Sequence, residues 1–388
     1  MLMTDVVGMD PEVFIRIQDK VVPASVYFPD KTKQIECSTG STSRDGWALE
    51  LRPKPGRPRQ VVKNLEILFR EARLHIVEQG VAFNDIVFLP NATLNISPQT
   101  DFTTLPPDLQ QFGCEPSFDA YEAGAPINVK INATEHFHRY AGGHLHFCLG
   151  EVIGNQGFPN VASKYYRELL TLVHKGKDVE ARAKVSPLVQ LFDYTIGLFL
   201  ASQDFPPNFE RQRRNYYGLP GEFRLQIYNK QCLICKDALC PTTAGSAIAI
   251  KKFLKLTGIE KQTFTTTHKQ RYQIGIEYRT PSANILRNNA LILMAFALGR
   301  EVLHSGRHPE QLLKQYQTFA AAFKPESVRK LIRDNHSFYA RELLASMTRD
   351  TAHVLPGYRS LTWLLNNSFV TDRVIFGESF PSVYQEGF

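Results

Sequence analysis

Cysteine is scarce in this chain, with six in 388 residues and no clustering into a framework. That excludes the small secreted scaffolds held together by disulfides and suits a reducing compartment. Long apolar runs are lacking too. The longest, "ALILMAFALG", is too short to span a bilayer and meets Arg300 at its end, so no membrane partner is expected. The opening "MLMTDVV" has an early acid and no basic stretch, so a secretory leader is not expected and a cytoplasmic setting is. No repeat or low-complexity tract is visible.

What remains is an ordinary globular composition, 43% hydrophobic and 21% charged, long enough for one large domain or two smaller ones. The net charge of +7 permits nucleic-acid or acidic partners without requiring them. The densest basic stretch, "LRPKPGRPRQVVKN", has a "GRPR" core like that of minor-groove hooks. It also follows a strand and precedes a helix pattern with Leu65, Phe69, Ala72 and Ile76 on one face and Gly80 as its stop. A basic loop at the edge of an anion site is the simpler reading. The second basic cluster, "RQRRNYYG", reads equally as a solvated face or a phosphate contact.

The chemistry starts at "RYAGGHLHFCLG", from Arg139 to Gly150. Alternation of period two makes it a strand with His144 and His146 on one face, entered through the flexible pair Gly142 and Gly143. Alone, this is a half-buried strand with two ordinary histidines. Three other strand-like segments carry the same kind of pair: Asp10 and Glu12 in "VVGMDPEVFI", Glu50 and Arg52 in "DGWALELRPK", and Glu277 and Arg279 in "YQIGIEYRTP". Burying a charge among large apolar residues is costly unless it is paired or metal-bound. Four such strands imply one polar surface for a charged ligand. Carboxylates with an imidazole suit Mg²⁺ or Mn²⁺, and arginines suit phosphate or carboxylate.

The coarse order is two or three strands, a helix, strand-like "DIVFLPNATLNI", a Pro-rich loop at 103–117, and the histidine strand. Helices are expected at about 160–175 and 187–202, then the Glu277 strand and a mostly helical remainder. This is an α+β pattern, an antiparallel sheet with helices grouped on one side.

These segments resemble the glutamine synthetase superfold, which glutamate–cysteine ligases share. The closer likeness is to phage- and bacteria-encoded carboxylate–amine ligases, the type 2 amidoligases of the phiEco32-like group. It rests on Gly8 to Glu12, Asp45-Gly46 leading to Glu50-Leu51-Arg52-Pro53, Phe112-Gly113-Cys114, Arg139 to His146, Arg214 to Arg224, and Gly275 to Pro281. Six motifs in order over about residues 5 to 285 are fairly specific; residues 286–388 are poorly covered. The likeness implies a catalytic domain at 1–285, a helical part at 286–388 packing on it, and an insertion at about 226–270. The insertion departs from the group's pattern. Its Cys232, Cys235 and Cys240 with His268 match zinc spacing poorly, and free thiols in a packed loop are the simpler reading.

The activity so implied is ATP-dependent amide formation between a carboxylate and an amine, small-molecule or peptide, through an acyl phosphate, in the host cytoplasm if phage-encoded. The implied metal set is Glu12, Glu50, His144 and Glu277, with Asp10 as a further candidate, for Mg²⁺ or Mn²⁺. Arg279 is the expected phosphoryl-stabilising residue, acting with Glu277 and Glu50 in catalysis. Arg52, Arg214 and Arg224 are expected to grip phosphate or carboxylate, His146 to touch nucleotide or substrate, and Gly142 and Gly143 to make room for nucleotide. Nucleic acid is not the expected partner. Two other classes stay open: a metal-dependent hydrolase of the amidohydrolase type, and a non-catalytic phage structural or nucleic-acid-binding protein on a ligase fold.

Overall fold

The computed structural model describes residues 6–29, 35–96, 102–107, 109–110, 117–128, 133–153, 164–203, 205–229, 271–305, 307–319 and 324–351. Within them the chain is mixed α+β around one large antiparallel sheet.

β1 (Val7–Ile17) lies near the middle of the sheet, because residue alternation gives it two useful faces. Met9, Val13 and Ile15 enter the main core, while Asp10 and Glu12 point the other way. On one side of β1 come β5 (Ala48–Pro53), β4 (Gly40–Asp45) and β3 (Ile35–Cys37). On the other side come β11 (Gly143–Ile153), β13 (Arg271–Tyr278), β12 (Glu222–Asn229), β8 (Phe118–Asp119) and β9 (Ala125–Pro126). β2 (Lys20–Val22) and β6 (Ile86–Leu89) pair with the far half of β1. Pro90 ends β6, so the predicted strand at 85–96 is two: β6 pairs with β1, and β7 (Thr93–Asn95) forms a separate ribbon with β10 (His138–Tyr140).

α1 (Pro58–Val77) covers β1, β4 and β5 with Val61, Leu65, Leu68, Ala72 and Ile76, and Gly80 follows it at φ +93°. α2 (Lys164–His174) and α3 (Asp178–Phe192) pack on β11 and β12. α3 starts nine residues before the expected 187: Asp178 and Glu180 occupy its acidic first turn, and Pro187 is tolerated inside it. α3 runs through a π-helical turn, Asp193–Gly197, into α4 (Leu198–Ala201). α5 (Pro207–Arg214) sits instead beside the ribbon, where the Thr93 hydroxyl donates to the Phe209 carbonyl.

The C-terminal helices are α6 (Asn289–His304), α7 (Pro309–Phe319), α8 (Pro325–Asp334) and α9 (Ser337–Thr351). The helical stretch expected from Pro325 onward breaks at Asn335, whose φ of 48° ends α8. Leu291, Phe296, Val328, Ile332 and Leu344 share one hydrophobic core with Val13, Leu49, Leu145 and Ile276. A smaller cluster of Phe14, Ala48, Leu89, Ala141 and Ala283 closes the opposite, polar face beside the ribbon.

Candidate functional site

Sheet register assembles the polar pairs. Asp10 lies opposite His144, and Glu12 lies opposite Glu50. His146 lies opposite Glu277, and Glu277 lies opposite Arg224 on its other side. Glu50 is in turn opposite Ser43, which donates a 3.3 Å hydrogen bond to it. The four predicted strands thus place their charged residues on one face, while Met9, Leu49, Leu145 and Ile276 fill the core behind.

At the centre, one ligand atom each from Asp10, His144 and Glu277 lies within 4.8 Å of the others. His144 Nδ1 is 3.4 Å from Asp10 Oδ1 and 3.6 Å from Glu277 Oε1. His146 Nε2 lies 3.0 Å from the same Asp10 oxygen. The buried Asp10 Oδ1 thus faces both imidazoles. Two carboxylates converging with a buried imidazole fit a hard divalent cation.

The electrostatics divide the acids into two sets. Burial would lift Asp10, but the charges and hydrogen bonds of His146 and His144 outweigh it and hold its carboxyl well below the usual range. Burial would lift Glu277 too, and Arg279 and Arg224 more than offset it. Burial, aided by Arg279, lowers His144, against the pull of Asp10 and Glu277. Glu12 is pushed up to about 8 by burial and then by Asp45 and Glu50. Glu50 is pushed up to about 7 by burial, against the pull of Arg52 and with the repulsion of Asp10, Asp45 and Glu277. So many crowded carboxylates call for positive charge.

The arginines divide as well. Arg224 lies 3.8 Å from Glu277 and donates to Ser117, and the half-buried Arg52 pairs with Glu50. Both stand on the polar face. Arg279 is fully buried instead. Its Nε donates to Glu222 at 2.8 Å, one terminal nitrogen donates to Glu277, and the other donates to the Tyr217 hydroxyl at 2.8 Å. Its donors thus hold other site residues rather than facing outward. Arg214 is elsewhere: it is spent on Glu210, the Ile332 carbonyl and Asn335, tying α5 to the end of α8. That is a structural clamp, and the expected phosphate grip has no geometric support at this residue. Its neighbour Arg213 similarly binds the carbonyls of Arg279, Thr280 and Pro281.

The two glycines also have a reason other than the expected one. A Cβ on Gly142 would overlap the His144 ring, and one on Gly143 would overlap the Ser282 carbonyl. The space they provide is filled by this chain itself. The Gly142 N–H donates to Glu12 at 2.7 Å, orienting that carboxylate.

Sequence reasoning missed Asp45, Tyr217 and Glu222. Asp45 ends β4 on the same face as Glu50, and period two from Ser43 would have found it. The Tyr217 hydroxyl donates to Glu12 at 3.4 Å and accepts from Arg279, while its ring centroid is 6.0 Å from that of His144. Glu222 shares its strand face with Arg224. His136 and His138 lie in the ribbon region, packed against each other, and His136 against Tyr140 and Tyr216, apart from the Asp10 cluster. Phe112, Gly113, Cys114, Cys232, Cys235, Cys240 and His268 lie outside the described residues.

No family model, no curated protein and no solved structure matches this chain. Among the described residues, no helix is long and apolar enough to cross a membrane.

Proposed function

We propose that this chain is an ATP-dependent ligase that joins a carboxylate to an amine, working on an antiparallel active-site sheet of the glutamine synthetase type. The observation that carries the reading is the registered polar row, with Glu50 opposite Glu12, Asp10 opposite His144, and Glu277 between His146 and Arg224. Phosphoryl transfer between anions needs such a surface, in which fixed acids hold divalent cations and nearby guanidinium groups face the transferred oxygens.

In this reading Asp10, His144 and Glu277 hold one Mg²⁺ or Mn²⁺, with Glu12 and Glu50 adjoining. The cation supplies charge neutralisation and a template for the phosphate oxygens. Arg224 and Arg52 face the anionic substrates, and His146 stands beside Asp10 at the rim. A substrate carboxylate oxygen attacks the γ-phosphorus of ATP and the bond to ADP breaks. The amine nitrogen then attacks the acyl carbon, phosphate leaves, and the amine gives up a proton. Arg279 acts from beneath, fixing the Glu277 carboxylate and the Tyr217 hydroxyl. A cytoplasmic setting with ATP and free Mg²⁺ goes with this chemistry.

The test is ADP release with Mg²⁺ or Mn²⁺ across a panel of carboxylates and amines. ADP formation that needs one member of each class supports the ligase. Zinc-dependent amide hydrolysis without ATP would favour the hydrolase class, and a salt-sensitive DNA shift without ATP turnover would favour the binding class.

A further inference from the structure

The helix behind the sheet changes its winding at one place. α3 gives way to the π-helical turn Asp193–Gly197, in which the Leu198 N–H reaches the Asp193 carbonyl five residues back. Such turns interrupt a helix at a cost and are frequent at functional positions. All five residues are buried, and the Thr195 hydroxyl satisfies the Leu191 carbonyl at 2.8 Å.

Two residues of this turn, Asp193 and Gly197, meet Tyr278 of β13. Asp193 is completely buried, yet it lies on the core side of the sheet, where an acid is expensive. Its Oδ1 accepts from the Tyr278 hydroxyl, while the Thr280 hydroxyl lies 3.4 Å away and donates to the Leu219 carbonyl at 3.0 Å. Its Oδ2 accepts from the hydroxyl of Tyr121, which lies in the turn Ala120–Glu122, at 2.9 Å. A Cβ on Gly197 would stand 2.9 Å from the Tyr278 oxygen, so the glycine is what lets the helix backbone approach it. Tyr278 lies between Glu277 and Arg279, and Thr280 directly follows. One carboxylate therefore holds the residue before Arg279 and lies beside the residue after it, from the opposite face of the strand.

We propose that Asp193 is a positioning residue: through Tyr278 it sets the end of β13, and so the placement of Glu277 and Arg279 in the polar row. This rests on the reading of Glu277 as a cation ligand. A buried structural acid could as well be replaced by apolar packing, whereas an acid that orients a ligand strand is felt at the ligand. Burial pushes its carboxyl up to about 6, against the hydrogen bonds from Tyr278 and Tyr121.

The experiment compares Tyr278→Phe with Tyr121→Phe. Each removes one hydroxyl from the same carboxylate, but only the first sits on β13. Mn²⁺ affinity is read by electron paramagnetic resonance, beside melting temperature and amide hydrogen exchange at Arg279, whose N–H donates to the Glu222 carbonyl. Tyr278→Phe and Asp193→Asn are expected to weaken Mn²⁺ binding about 10-fold or more, the usual scale for losing an outer-shell partner. Tyr121→Phe lowers the melting temperature comparably and leaves Mn²⁺ affinity unchanged. If both phenylalanine variants lose the same melting temperature and neither changes Mn²⁺ affinity, Asp193 is only a core acid and the proposal fails. If the native protein binds no Mn²⁺, the cation reading fails by itself, and exchange decides the positioning role. Faster exchange at Arg279 in Tyr278→Phe than in Tyr121→Phe upholds it, and equal exchange overturns it.

Discussion

Metal-free protein should lose stability as the pH rises from 6.5 to 8.5, because two buried acids must ionise there. Glu50 is raised from 4.5 to about 7 and Glu12 from 4.5 to about 8. A folded-state value above the unfolded one means that the folded chain holds the extra proton. The stability so gained is complete at low pH and is lost as the pH climbs through the folded values. Over this window Glu50 crosses about half a unit and Glu12 about one and a half, which at about 1.4 kcal/mol per unit totals about 3 kcal/mol. His144, which is lowered, acts in the opposite sense, but its contribution is nearly complete above its ordinary 6.5, which is why the window starts there. At roughly 2 °C per kcal/mol, the midpoint should fall by about 6 °C. Divalent cations bind the ionised form, so Mn²⁺ should raise the midpoint more at pH 8.5 than at pH 6.5. The assay is differential scanning calorimetry in chelator-treated buffer with and without Mn²⁺, on the native chain and on Glu12→Gln. A flat midpoint without metal, or a slope unchanged by Glu12→Gln, would refute the reasoning.

Arg279→Lys keeps the charge but cannot reach Glu222, Glu277 and Tyr217 together, so urea unfolding should show a loss of about 3–5 kcal/mol, the range for breaking a buried pair. Gly142→Ala should lower the melting temperature far more than Gly8→Ala: the first Cβ meets the His144 ring, whereas the second has only ordinary contacts at 3.5 Å with His146 and Pro55. Arg214→Ala should destabilise the chain without changing Mn²⁺ or nucleotide affinity, because its partners are Glu210, Ile332 and Asn335, whereas Arg224→Ala should weaken nucleotide binding. Isothermal titration beside thermal melts separates these two.

Period two along β1, β5, β11 and β13 was legible in the sequence, and with it the shared polar face of Asp10, Glu12, Glu50, His144, His146 and Glu277. Alternation says which side chains share a face, but not which strands are neighbours. The pairing of Asp10 with His144, and of Glu277 with both His146 and Arg224, needed the sheet order. Depth was illegible for a different reason. Arg214 and Arg279 look like ligand-facing arginines in one dimension, yet both are consumed by buried partners brought from distant segments, Asn335 and Glu222 among them. The glycine pair misled similarly, since a missing Cβ reads the same whether a ligand or the Ser282 carbonyl fills its space. The π-helical turn was not legible, because its five residues are buried within a continuous helix that begins at Asp178 rather than at the expected 187.

Crystals grown with Mn²⁺, followed by an anomalous difference map at the manganese edge, would test the account where it commits most. The account predicts a peak held by Asp10, His144 Nδ1 and Glu277, with Arg279 still donating to Glu277 from behind. The contradicting result is a map without a peak there at saturating Mn²⁺, with His146 still against Asp10 and Arg279 against Glu277. The row would then be a self-neutralising ion network, and the ligase reading would lose its support.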